Sequence, residues 1–237
     1  MSLGLFLVDE LPSGDGMVLD GPEGHHAADV ARLRVGERLL LGDGRGGTAC
    51  AVVTAAGRGR LGLSIVERRY ADRPRPRLVV AQGLAKGERA ELAVQMMTEA
   101  GVDEIVPWNA ARSVVRWSAE RADRALDRWV ATAREAAKQA RRGWLPDVSP
   151  PVPTAALVPR ATFVLHEDAT VPLSTVELPA REELVLVVGP EGGIAPEELD
   201  QFVRAGAVPV RLGGTVLRTS TAGVAALAVL SARLGRW

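Results

Sequence analysis

Residues 183–199 read ELVLVVGPEGGIAPEEL, and this stretch decides the fold. Leu184–Val188 is an unbroken apolar run rich in valine, the pattern of a strand buried on both faces of a parallel sheet. It empties into Gly189-Pro190-Glu191-Gly192-Gly193, where glycines permit unusual backbone dihedrals and remove side chains that would block a ligand. Pro196, followed by Glu197 and Glu198, then opens a helix in the expected manner. The same arrangement recurs at once. Val208–Leu212 predicts a second buried strand, Gly213-Gly214 a second glycine loop, and residues 219–234, small and apolar, a helix that is nearly enclosed. Two strand–loop–helix units in succession describe a ligand crevice at the carboxyl edge of a sheet. Neither loop ends in Gly-Lys-Ser/Thr, which excludes a phosphate-cradling P-loop. The pattern by itself does not select the ligand.

Upstream, Leu78–Gln82 predicts a strand and residues 88–100 a helix whose apolar face carries Leu92, Met96 and Ala100. Gly101 ends that helix and Asp103–Val106 begins the next strand, so the large domain is α/β with a parallel sheet. Lys86, one of only two lysines in the chain, sits in the loop between the first strand and the helix, at the carboxyl edge where such sheets bind ligands. Ser118 is the candidate N-cap for a helix reaching Arg142, with Gly143 at its stop. Its predicted buried stripe includes Ala125, Trp129, Val130, Ala133 and Ala137, with Lys138 and several arginines on other, solvated faces. Pro146–Pro159 reads as a surface loop, and Ala161–Leu165 as a further buried strand ending at His166.

Residues 1–72 form a smaller β-rich domain, 73–77 an arginine- and proline-rich linker, and 78–237 the α/β domain. In the first domain, strands are predicted over 3–8, 38–41, 48–55 and 61–66, with a short helix over 25–33. Gly42-Asp-Gly44-Arg-Gly46-Gly47 matches the dinucleotide fingerprint letter for letter. The next residues, from Thr48, continue as β and do not open a helix, so the stretch reads as a hairpin loop. Apolar residues make up 47% and charged residues 24%, which places the chain among ordinary globular proteins. No apolar run approaches the ~20 residues of a membrane span, and MSLGLFLVDE lacks the parts of a signal peptide. A cytoplasmic protein is expected. A single cysteine and three histidines argue against a disulfide framework and a metal site. Net charge is zero, yet the basic excess is concentrated between residues 107 and 146, which draws attention to Arg112 and Arg116 just before the long helix.

GPEGG with its acidic helix, then LG..VLRT.TA leading into the last helix, closely resembles the C-terminal signature of the bacterial 16S ribosomal RNA uridine-N3 methyltransferases. These form the small-subunit methyltransferase E family of the SPOUT superfamily. QGLAKGERAELAVQMMTEAGVDEIVPWNAARSVV and EAAKQARRGWLPDV resemble its middle section, and GPEGHHA with GERLLLGDG its N-terminal part. The resemblance implies a SPOUT-type trefoil-knotted α/β domain that binds S-adenosylmethionine, a PUA-like β-barrel before it, and a homodimer acting on 16S ribosomal RNA or the small ribosomal subunit. It implies three loops around the cofactor. Leu165 and His166 belong to the first, and Gly189, Pro190, Glu191, Gly192, Gly193 and Ile194 to the second. Leu212, Gly213, Val216, Leu217, Ser220 and Ala222 belong to the third.

Arg218 is the candidate for stabilising charge on the uracil oxygens, or else it forms a structural salt bridge, with Glu191 as a partner. Glu191 is the nearest candidate base, or else it accepts backbone hydrogen bonds in its own loop. Lys86, Arg112, Arg116, His26, Arg32 and Arg34 are the RNA-binding candidates, His26 serving equally well as a turn or cap residue. Two departures matter. Family members often carry Glu where this chain has Ser220, and an arginine at the extreme N-terminus where MSLGLF has none, so neither role carries over. A SPOUT enzyme with another RNA target, and a non-catalytic RNA-binding assembly factor, are the alternative functions.

Overall fold

The computed structural model describes residues 3–117 and 119–237, so the expected cap at Ser118 lies outside the described residues. The chain divides into two compact units. The first runs to Arg73 and takes in Ala137–Leu145; the second comprises Pro74–Ala136 and Pro146–Trp237.

The first unit contains β1 (Leu5–Leu7), β2 (Gly16–Leu19), α1 (Gly21–His25), β3 (Arg38–Gly42), β4 (Gly47–Gly57) and β5 (Arg60–Tyr70), with a π-helical turn at His26–Val30. Its sheet runs β1-β3-β4-β5-β2, antiparallel except where β1 meets β3. Leu39 and Leu41 alternate inward from β3, Leu61, Leu63 and Ile65 from β5, and they close on Phe6 and Leu19. The fingerprint-like glycines form the β3–β4 hairpin loop. Asp43 Oδ1 accepts the N–H groups of Arg45 and Gly47 at 2.7 and 2.9 Å, a turn held by its own side chain.

The sequence assigns residues 137–145 to the large domain. They belong instead with the first unit, for visible reasons. Trp144 Nε1 donates to the Ala71 carbonyl at 2.7 Å, and the Arg73 guanidinium lies 5.2 Å from the centre of the indole. Lys138, expected on a solvated face, is only 8% exposed and places Nζ 2.9 Å from Glu23 Oε1.

The second unit contains β6 (Arg77–Gly83), α2 (Arg89–Glu99), β7 (Glu104–Asn109), α3 (Ala119–Gln139, whose end belongs to the first unit), β8 (Asp147–Val148), β9 (Val152–Pro153), α4 (Thr154–Leu157), β10 (Phe163–Leu165), β11 (Val171–Pro172), β12 (Glu183–Val188), α5 (Pro196–Arg204), β13 (Val208–Arg211) and α6 (Thr219–Arg233). Every strand pair is parallel. The order is β11-β13-β10-β12-β6-β7-β8, with β9 also on β7. The surface loop expected over Pro146–Pro159 thus holds two short strands and one helical turn.

Both faces of this sheet are covered, which is why its central strands are apolar without alternation. Leu78, Val80, Leu184 and Leu186 pack with Met97, Phe163, Leu227 and Leu230, under α2 and α6. Val79, Ala81, Val185 and Val187 pack the other way, with Trp108, Val164 and Phe202. Gly223 permits the α2–α6 approach, since a Cβ there would lie 2.8 Å from Met97 Sδ. The last helix is less enclosed than expected. It buries one face, through Ala226, Leu227 and Leu230; Ala222, Val224, Ala225, Ala228 and Val229 remain half-buried. In α3, Ala125, Trp129 and Ala133 are buried as expected, while Val130 is exposed.

At the amino edge of the sheet, charge is neutralised locally. Arg160 bridges Glu104 and Glu183 at 3.1 Å each, and its hydrogen bonds to these two carboxylates, Glu183 first, raise its pKa above the ordinary arginine value. Asp103, 2% exposed, accepts the Leu78 N–H at 2.8 Å and Arg236 Nη1 at 3.1 Å. The carboxyl edge is left for the site.

Candidate active site

The strands β10, β12 and β13 are adjacent and parallel, so their loops emerge side by side and enclose a cavity of about 800 Å³. That is the size range of small-molecule sites. Leu165 and His166 line it from the first loop, joined by Glu167 and Asp168. The His166 backbone N–H donates to Val210 O at 3.0 Å, and its ring Nδ1 accepts the Asp168 N–H at 3.3 Å. Gly189, Pro190, Glu191, Gly192, Gly193 and Ile194 line it from the middle loop. Leu212, Gly213, Val216, Leu217, Arg218 and Ala222 line it from the third.

Ser220 is different. It is 4% exposed within α6 and does not reach the cavity, because one residue beyond the pocket-lining Thr219 the helix has turned by about 100°. Lys86 and Arg116 are exposed and lie outside the cavity lining. Arg112 is on its rim. His26, Arg32 and Arg34 belong to the first unit. There the His26 ring stands edge-on to Phe6 at 5.6 Å, Arg32 adopts a left-handed φ of 55°, and the Arg34 N–H donates to Glu37 Oε2 at 2.7 Å.

The two adjacent glycines of GPEGG divide the expected roles of unusual dihedrals and cleared space between them. Gly193 has φ 71° and nothing within 4 Å of a Cβ position; its requirement is conformational. Gly192 faces protein. A Cβ there would lie 2.9 Å from Arg112 O and 3.2 Å from Arg112 Cβ, so its bareness lets Arg112 close on the loop. Gly83 has the same kind of role beneath, where a Cβ would lie 2.6 Å from Pro190 N.

Glu191 does not pair with Arg218. Its Oε1 accepts the Lys86 N–H at 3.0 Å, which ties the middle loop to the one after β6. The exposed Arg218 guanidinium has no ion-pair partner among the described residues.

Besides Glu167 and Asp168, further residues of the site escape the sequence pattern. Thr219 Oγ1 donates to Gly189 O at 2.7 Å and accepts Gln82 Nε2–H at 2.8 Å, which staples α6, β12 and β6 together under the cavity. Gln82 is fully buried, and its Oε1 has no partner among the described residues. Arg89, at the start of α2, lines the cavity. Glu198 is buried and accepts hydrogen bonds from Ala111 and Thr154. Thr219 and Gln82 lie 137 residues apart, and no local pattern announces such a pair.

The residues suit S-adenosylmethionine. Leu212, Val216 and Leu217 offer apolar walls to a flat base, and the carboxylates of Glu167 and Asp168 offer acceptors and negative charge to hydroxyls and a cation. The Cβ positions of Gly193, Gly213 and Gly214 face open space, leaving backbone groups accessible.

Known proteins point the same way. An RNA methyltransferase domain matches residues 72–231 and an RNA methyltransferase PUA domain residues 19–66. The chain is 48% identical to the ribosomal RNA small subunit methyltransferase E of Mycobacterium bovis, over 98% of this chain and 93% of that one. It is 29% identical to the protein of the same name from Bacillus subtilis, over 94% and 91%. The crystal structure of a ribosomal RNA small subunit methyltransferase E from Neisseria gonorrhoeae bound to S-adenosyl methionine superposes with a TM-score of 0.86, at 27% identity and 98% coverage of both chains. With a parallel-sheet methyltransferase domain behind a PUA-like domain, and relatives alike along nearly their whole length, this chain belongs to the ribosomal RNA small subunit methyltransferase E family.

Proposed function

We propose that this protein transfers a methyl group from S-adenosylmethionine to N3 of a uridine in the 16S ribosomal RNA of the small ribosomal subunit. The observation that carries the reading is the three-loop cavity, lined by both apolar and charged residues, in a member of this family. The cofactor supplies a methyl carbon already activated by positive sulfur, so a new N3–C bond forms as the C–S bond breaks and a neutral thioether leaves. The protein mainly has to bring N3 into line with that carbon.

Uridine N3 carries a proton at neutral pH, and its loss leaves negative charge on the uracil oxygens. Arg218, exposed at the cavity and uncommitted to any carboxylate among the described residues, stabilises that charge. Glu191 is the carboxylate of the middle loop that lines the cavity, and we assign it to receive the proton, directly or through water. The target base has to leave its stack to arrive there. Lys86, Arg112 and Arg116 hold its flanking phosphates, and His26, Arg32 and Arg34 of the PUA-like unit hold RNA elsewhere. The half-buried apolar face of α6 supports a homodimer in which that face is covered. A trefoil knot in the large unit and a cytoplasmic location complete the reading.

Small subunits purified from a strain lacking the gene provide the test. Incubation with protein and cofactor should add one methyl group that mass mapping places on uridine N3 of 16S RNA. A methyl group on another nucleotide would point to a different RNA target. No heat of binding with S-adenosylmethionine in calorimetry would leave a non-catalytic RNA-binding factor.

A further inference from the structure

We propose that Glu198 is a positioning residue that holds Arg112 over the cavity for RNA, an inference that rests on Arg112 being a phosphate contact of the proposed enzyme. Glu198 sits in the first turn of α5 and is 5% exposed. A glutamate there ordinarily reaches back to cap its own helix. Here that contact is the weak one, Oε2 to the Ala195 N–H at 3.4 Å. The other oxygen turns away from the helix. Oε1 accepts the Ala111 N–H at 2.9 Å and the Thr154 hydroxyl at 2.6 Å.

The direction of these bonds is dictated by chemistry. Trp108 Nε1–H can only donate, and it donates to Thr154 Oγ1 at 3.1 Å. Thr154 passes its own proton on to Glu198, so the chain ends on an acceptor that takes two donors at one oxygen. A buried carboxylate is costly unless it is hydrogen-bonded in this way. The bonds lead towards the site. Ala111 precedes Arg112, whose carbonyl and Cβ rest on Gly192, while its Nη1 makes a long 3.5 Å contact with Gly192 O. Arg112 makes no ion pair among the described residues. It is therefore placed through its backbone, and Glu198 holds that backbone.

RNA binding tests this without requiring turnover. Affinity for a 16S RNA fragment is measured across salt concentrations for wild type, Glu198→Gln, Arg112→Ala and the double variant. Cofactor affinity and melting temperature are measured in parallel. In Glu198→Gln the new amide N–H faces the Ala195 N–H, and the charge that draws in Ala111 and Thr154 is gone. We expect about threefold or more weaker RNA binding with a shallower salt slope, and cofactor affinity within about twofold of wild type. In the Arg112→Ala background the same substitution should change RNA affinity by less than about twofold, since the two act as one unit. Thr154→Val removes one donor from the same oxygen and gives the same comparison through a milder lesion should Glu198→Gln not fold.

Losses that multiply in the double variant would overturn the proposal. So would an Arg112→Ala protein that binds RNA like wild type, or a Glu198→Gln loss that falls equally on the cofactor. Methyl transfer by the wild type onto small subunits is recorded in the same series. Its absence would count against the proposed reaction and leave the Glu198–Arg112 coupling to be judged on RNA binding.

Discussion

Replacing Thr219 with valine isolates the staple beneath the cavity. The residue is 7% exposed, and its hydroxyl donates to Gly189 O at 2.7 Å and accepts from Gln82 Nε2 at 2.8 Å. Valine keeps the shape and removes both bonds. Each is worth about 1 kcal/mol net, and a buried partner left unsatisfied adds ~1–3 kcal/mol. Gln82 Nε2 retains a second acceptor in Gly83 O at 3.2 Å, so the larger penalty falls on the Gly189 carbonyl. The expected loss is about 3–5 kcal/mol, and at roughly 2–4 °C per kcal/mol the large unit should melt about 6–20 °C lower. Gly189 opens the middle cofactor loop, so affinity for S-adenosylmethionine should fall as well, by about tenfold, or ~1.4 kcal/mol. Thr219→Ser keeps the hydroxyl and should stay within a few degrees of wild type. Thermal denaturation and titration calorimetry on the three proteins decide the matter. A valine variant that melts and binds like wild type, or a serine variant that falls as far as valine, would refute the reasoning.

Gly193→Val should weaken cofactor binding at least about tenfold because valine resists φ 71°, while Gly193→Asn, tolerant of that region, should stay within about threefold by calorimetry. Gly192→Ala should disturb RNA binding more than cofactor binding, since its Cβ would meet Arg112 and not open space; equal losses would argue otherwise. Arg112→Ala should lower the slope of log affinity against log salt by about one unit or slightly less, with cofactor affinity unchanged. Arg218→Ala should leave RNA binding intact and slow single-turnover methyl transfer by about 100-fold or more. Light scattering at micromolar concentration should return the mass of a dimer, and a monomer mass in an active preparation would contradict that assignment.

Legibility in the sequence tracks burial on both sides of a sheet. β6 and β12 are legible because their neighbours on each face are apolar, and the loops after β12 and β13 because glycine is conspicuous. β13 is less buried than its sequence suggests: only Val210 is buried, and Arg211 is exposed. β2 is not legible, since only Leu19 of its four residues is buried and alternation is lost. β8 and β9 are two residues each and exist only as partners of β7. Within the site, the residues that touch the cavity are largely visible in the sequence and those that hold it in shape are not. Glu198 looks like an ordinary first-turn acid, and its partners Ala111 and Thr154 lie 87 and 44 residues away. Ser220 looks like part of the third loop because the motif runs through it, but the helical turn after Thr219 carries it into the core.

The return of residues 137–145 to the first unit bears on how the chain is made. When Arg73 leaves the ribosome, the Ala71 carbonyl has not received the Trp144 indole and Glu23 has not received the Lys138 ammonium. Both arrive only after β6, α2, β7 and most of α3 have been synthesised. The base of the first unit therefore stays loose in the nascent chain and tightens midway through translation, after the second unit has already begun. An expression fragment ending at Arg73 would inherit that looseness permanently. Appending a segment equivalent to Ala137–Leu145 should restore the closure, which makes the segment the natural place to cut and rejoin when the PUA-like unit is wanted alone.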